Sequence, residues 1–78
     1  MFLLIEDYME TLDLHGVRYH RVELMVENFI LMHDMPIRII TGNSPDMKKI
    51  VLKVVARHEF KSSEENHWNL GSLIIWDG

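Results

Sequence analysis

An aspartate and a histidine two residues apart, Asp13 and His15, carry the first chemistry legible in this chain. They sit in Leu12-Asp-Leu-His-Gly16, where Thr11 to Leu14 reads as a short strand that stops at His15-Gly16. Side chains alternate along a strand, so Asp13 and His15 point to the same side. Such a pair can share a divalent cation, or the carboxylate can orient the imidazole for proton transfer. A second segment, Thr41-Gly-Asn-Ser44, leaves another strand and enters a helix, and backbone N–H groups at a helix start seat an anion. Arg18 and Arg21 follow the first segment and Lys48 and Lys49 the second, so half of the eight basic residues flank the two turns. A scissile phosphate suits that set better than a carboxylate or a neutral ligand does.

Each of these residues also has a structural reading. Asp13 can cap or pair locally, and His15 can be a satisfied strand-end histidine. Ser44-Pro45 is fully explained as a helix cap, and Lys48 and Lys49 as a solvated face. His33 and His58 lie on apolar stripes and read as structural, while His20 stays open as a participant in the first motif. His67-Trp68 is either a base-stacking platform or a loop anchor.

The elements that must position these groups follow from periodicity. Val22, Met25, Val26, Phe29, Ile30 and His33 recur at helical spacing between Arg18 and His33, with Leu24 and Leu31 on a second face that a neighbour would cover. Pro36 ends that pattern, and Ile37-Arg-Ile-Ile40 reads as a strand covered on both faces. Ser44 as N-cap, Pro45 at the first helical position and Asp46 behind it open a second helix, with the stripe Met47, Ile50, Val51, Val54, Val55 and His58. Phe60 to Ser63 reads as a short edge strand, Glu64 to Asn69 as a polar connection, and Ser72 to Trp76 as a central strand. The methionines read as core filler.

The expected fold is α/β, an α+β two-layer sandwich in the order βαβαββ. Its sheet is mixed and four-stranded, with both helices on one face. A right-handed crossover makes the first two strands parallel, and a short last connection makes the final pair antiparallel. Parallel neighbours bring the two glycine-marked exits onto one rim, where open α/β sheets bind ligands.

Seventy-eight residues make one domain, and a hydrophobic fraction of 47% supplies its core. Residues 1–10 read as an N-terminal arm and 11–78 as the domain proper. No cysteine is present, which removes disulfides and thiolate metal sites and fits a reducing cytoplasm. The longest apolar run, Phe2 to Ile5, is too short for a signal sequence or a membrane span, so no membrane partner is expected. A net charge of −4 means that nucleic-acid binding must rest on a local basic patch or a bound cation. No P-loop, zinc or dinucleotide spacing occurs, and no organic cofactor is expected.

Two motifs together resemble a known family. LDLHG at Leu12 to Gly16 is similar to the opening signature of Smr (small MutS-related) domains, and Ile39-Ile-Thr-Gly42 to their second, TGxG-type turn. The intervening helix, the Met47-Lys-Lys-Ile-Val51 helix and Gly71 before the last strand also fit, so the resemblance spans residues 11–78. The wording RIITGNSP followed by MKKIV resembles the short Smr proteins of some bacteriophages, which implies the host cytoplasm. The family implies a fold similar to the C-terminal domain of translation initiation factor three. It further implies nicking of RNA or DNA, often aided by magnesium or manganese. Asp13 and His15 inherit the catalytic role, with Asp13 as the metal contact. Gly16, Thr41 and Gly42 inherit binding, and on the reading of the residues themselves Asn43 and Ser44 of the turn and the flanking Arg18, Arg21, Lys48 and Lys49 complete the phosphate-binding set. Ser44 stands where many members have glycine and Asn43 where some have lysine, which restricts backbone approach at that turn. A non-catalytic nucleic-acid or protein-binding module and a mononucleotide binder are the alternatives. The apolar arm, with Met1, Phe2, Leu3 and Trp76, is a surface for self-association.

Overall fold

The computed structural model describes residues 9–66 and 69–78. Its elements run β1 (Glu10–Asp13), α1 (Tyr19–Met32), β2 (Ile37–Ile40), α2 (Pro45–Arg57), β3 (Lys61–Asn66) and β4 (Asn69–Trp76). The sheet order is β1-β2-β4-β3, with β1 and β2 parallel and the other two pairings antiparallel. This is the mixed four-stranded α/β arrangement that the periodicity implies. Among the described residues no helix is long and apolar enough to cross a membrane. The segment read as an arm lies outside the described residues except for Met9 and Glu10, as do His67 and Trp68 and the proposed self-association residues Met1, Phe2 and Leu3.

One core joins the layers. Val22, Val26 and Ile30 of α1 and Met47, Val51, Val54 and Val55 of α2 pack with Leu14, Ile37, Ile39, Leu73 and Ile75 of the sheet side. Along β2 the burial alternates, with Ile37 and Ile39 buried under the helices and Arg38 and Ile40 half-buried on the other face. The expectation that this strand is covered on both faces is therefore corrected: the helices occupy one face alone. Leu24 and Leu31 are also corrected, at 65% and 67% exposed, because α2 packs on the Glu23–Glu27 flank of α1 instead. Met32, at 76% exposed, is not core filler, whereas Met47 is buried and Met25 and Met35 pack against the core.

Strand boundaries move in a consistent way. β1 begins at Glu10, which pairs with Ile37, one residue inside the expected arm. The polar stretch from Glu64 onward extends the hairpin instead of forming a loop, and β4 starts at Asn69. Tertiary partners explain why so polar a segment is extended. Glu64 meets Lys48 of α2 at 3.1 Å, and a register shift between Glu64 and Asn66 accompanies the turn of Glu65 to the helix-free face. There Ser72 Oγ donates to Glu65 Oε1 at 2.7 Å, and Arg38 reaches Glu65 Oε2 at 3.1 Å and Thr11 Oγ1 at 3.3 Å. Thr11, Arg38, Ser72 and Glu65 thus link all four strands through side chains.

At its C-terminal end α2 closes with Phe60 N–H on Val55 O and Glu59 N–H on Ala56 O, with Glu59 at φ +62°. This is a Schellman closure without its usual glycine. His58 meets Glu27 Oε2 at 3.0 Å, and Arg57 grips Glu23 with both terminal nitrogens at 2.9 Å. The His58 contact, then the Arg57 charge, holds the Glu27 carboxyl below its ordinary range, and Glu23 raises the Arg57 guanidinium. His33 packs on Phe29 with ring centroids 4.1 Å apart and the planes tilted by 34°, and its Nδ1 meets Phe29 O at 3.0 Å, so both stripe histidines have structural partners.

The Ser72 hydroxyl, and then Arg38, hold the Glu65 carboxyl below its ordinary range. A lowered carboxyl stabilises the fold above its unfolded pKa, and that stability is lost as pH falls through the folded value. Ser72→Ala should therefore cost about 1 kcal/mol near neutral pH, in line with one hydrogen bond. Denaturant titrations at descending pH should show the gap between variant and wild type closing in acid.

Candidate functional site

The two motifs meet at the C-terminal ends of β1 and β2. Asp13 pairs with Ile40 in register, and Leu14 N–H continues the ladder to Ile40 O at 2.9 Å. Leu14 is fully buried and pins the chain before it turns. Val17 N–H then closes on Leu14 O at 3.0 Å, with Gly16 third in the turn at φ +77°. Gly42, just after β2, has φ +67°. Nothing lies within 4 Å of a Cβ built on either glycine. Both glycines are there for their dihedral angle, and neither exit is close-packed.

The tight packing belongs to Gly71 on β4. Its carbonyl accepts from Thr41 N–H at 2.7 Å and Gly42 N–H at 3.1 Å, and a Cβ there would stand 2.9 Å from the Gly42 backbone. Thr41 is only 3% exposed, and its hydroxyl donates to Gly42 O at 2.9 Å. Two of the amides expected to seat an anion therefore have an internal partner, and Thr41 shapes the turn from beneath. Asn43 stays exposed on the rim.

Of the contacts open to Asp13, the structure shows the local one. Its Oδ1 accepts from the backbone N–H of His15 at 2.9 Å, which fixes the turn and does not orient the imidazole. His15 and its side chain are exposed. Among the described residues no group of three or more His, Asp or Glu side chains is arranged to hold a metal ion. Asp13 gives one carboxylate oxygen to the turn, and a magnesium or manganese ion held by one carboxylate together with water and substrate phosphate would need only the other.

The two helices start side by side and are built in opposite ways. Ser44 caps α2, its Oγ accepting from Met47 N–H at 3.1 Å, with Pro45 and Asp46 in the first turn. At α1, Arg18 occupies the N-cap position without a side-chain cap, and the first turn holds no acidic residue. The α1 dipole thus points its positive end at Arg18, His20 and Arg21, an arrangement that lowers stability. Tyr19, which sequence reasoning missed, joins the two starts: its hydroxyl lies 2.6 Å from Ser44 Oγ. The available signal was its position, an aromatic residue in the first turn after the LDLHG segment.

The basic residues divide around that junction. Arg18 and Arg21 line a hollow with Gly16, Val17 and Met25. Lys48 and Lys49 line another with Asn43, Pro45 and Leu52. Lys48 is engaged by Glu64, whereas Arg18, Arg21 and Lys49 have no acidic partner among the described residues. His20 lines two hollows with Leu24, one of them shared with Arg21 and Met25. Comparison of the chain with protein-family models, curated proteins and solved structures finds no match.

The site's architecture makes two stability differences measurable. Gly71→Ala forces a methyl against the Gly42 backbone and should cost about 1–3 kcal/mol, in the range of overpacked interiors. Ser44→Ala should cost about 1–2 kcal/mol, through loss of both the cap and the Tyr19 hydroxyl contact, and Ser44→Gly somewhat less because glycine is the better N-cap. Thermal unfolding of the three variants checks both.

Proposed function

We propose that this chain is an Smr-type nucleic-acid-binding domain that nicks phosphodiester bonds in RNA or structured DNA at the rim of its sheet. One observation carries the reading. The uncapped, acid-free start of α1, with Arg18 and Arg21, stands beside the glycine turn that presents His15. A chain that caps α2 fully leaves α1 in an unfavourable state that a polyanion relieves. The LDLHG and TG motifs, whose turns share that rim, support the same family.

In the proposed chemistry, phosphates bind Arg18, Arg21 and Lys49, with Lys48 and the exposed Asn43 beside them. The neutral His15 imidazole takes the proton of the attacking hydroxyl or water and returns it to the leaving 5′-oxygen. In RNA the 2′-oxygen bonds to phosphorus while the bond to the 5′-oxygen breaks; in DNA a water molecule takes the nucleophile's place. Asp13 acts as a positioning residue through the His15 backbone. The domain would act in the cytoplasm, the host's if phage-encoded.

A second reading, a binding module without turnover, draws on the Asp13 contact: the carboxylate holds the His15 amide and leaves the imidazole unoriented. Incubation with structured RNA and branched DNA separates the two. His15→Ala should abolish cleavage and retain binding; cleavage that survives in this variant removes His15 from the mechanism. Arg18→Asp supplies the missing cap and should raise stability by about 1 kcal/mol. The same substitution should weaken nucleic-acid binding and flatten its salt dependence by about one unit of slope per cation removed. A variant that gains neither stability nor a shallower slope rejects the assignment of the α1 start.

A further inference from the structure

Two basic hollows flank one aromatic ring on the rim. The first is lined by Gly16, Arg18 and Arg21, the second by Asn43, Lys48 and Lys49. Tyr19 follows Arg18 in the chain, and its hydroxyl sits 2.6 Å from Ser44 Oγ, between Asn43 and Pro45. The side chain therefore spans from the margin of one hollow to the margin of the other. It is tethered at its far end, yet the residue remains 47% exposed. Large exposed aromatic surface usually costs solvation and is buried where it can be. Here the hydroxyl bond holds the ring in place and leaves its surface open. A ring already held by its tether loses little further freedom when a flat group stacks on it.

Resting on the nucleic-acid reading above, we infer that Tyr19 is a stacking platform for one unpaired base, with the flanking phosphates of the same strand in the two hollows. The substrate class is then single-stranded nucleic acid, or an unpaired segment of a structured one. A base inside a duplex is already stacked on its neighbours, and exposing its face requires unstacking. Stacking on an aromatic ring is open to every base, so the platform selects strandedness and not sequence. A mononucleotide reaches one hollow only and binds more weakly than a strand that occupies both.

Tyr19 also ties the α1 start to the α2 cap, so the test separates stacking from positioning. The full-length chain is titrated with short oligo(dU), with a duplex of equal length and with a mononucleotide, as wild type, Tyr19→Phe and Tyr19→Leu. Wild type should prefer the single strand to the duplex and bind the mononucleotide most weakly. Tyr19→Leu should weaken single-strand binding roughly 5- to 150-fold, the range for loss of one stacked base, and leave duplex binding within about twofold. Tyr19→Phe, which keeps the ring and loses the tether, should retain most of the single-strand affinity. Equal weakening by Phe and Leu, or equal loss for both strand forms, overturns the platform and assigns Tyr19 to positioning. If wild type binds both forms, is sensitive to Arg21→Glu and ignores Tyr19→Leu, the inference fails while the nucleic-acid reading stands. If wild type binds neither form, both fail together.

Discussion

The parallel pairing of β1 with β2 is the contact on which the rest depends. Asp13 lies beside Ile40, and the Leu14 amide adds one more rung to the ladder before the chain turns. Because Leu14 is fully buried, that last rung is anchored in the core. Slipping the register by one residue would turn Leu14 outward and put Asp13 in the apolar layer, at the cost of an unpaired buried carboxylate. The same register fixes how the two helices begin. Each must leave the sheet at the same rim and run back over one face, so their positive ends are forced together.

Once the helix starts are adjacent, their unequal construction becomes meaningful. α2 carries a serine cap, a first-turn proline and an acidic residue, the set that a helix start favours. α1 carries an arginine at its cap and no acid in its first turn. Elsewhere several charges are paired: Arg57 and His58 with Glu23 and Glu27, Lys48 with Glu64, Arg38 with Glu65. Arg18 and Arg21 stand together beside the LDLHG turn without an acidic partner among the described residues. A net charge of −4 is therefore compatible with a basic locality, because charge is distributed unevenly over the surface.

Glycine does two distinct jobs here, and only one concerns the backbone angle. Gly16 and Gly42 adopt positive φ in open space, so their turns are set by dihedral preference. Gly71 has no such angle, but it lets β4 approach the Gly42 backbone closely enough for one carbonyl to hold two amides. The second turn is thereby rigid from beneath. With the Thr41 and Gly42 amides engaged, the groups left open at this turn are the Asn43 and Lys49 side chains.

The order of elements, the two helices and the meeting of the two turns on one rim were all legible from residue pattern. Apolar spacing and the Ser44-Pro45-Asp46 start are local signals, and a right-handed crossover leaves one arrangement for a strand–helix–strand unit. Local pattern did not reveal what depends on distant partners. Glu64 and Glu65 read as loop because their stabilising contacts, Lys48, Arg38 and Ser72, lie on other elements. The sequence left two contacts open to Asp13, because a carboxylate two residues before a histidine can meet either its ring or its amide, and only the turn geometry chooses. Tyr19 showed only its position after the LDLHG segment and not its contact, since its partner Ser44 is 25 residues away and becomes a neighbour only when the sheet has formed. Sequence determined which groups are present and which rim they reach; tertiary packing decided which of them remain open to a ligand, because hydrogen-bond partners are assigned in space and not along the chain.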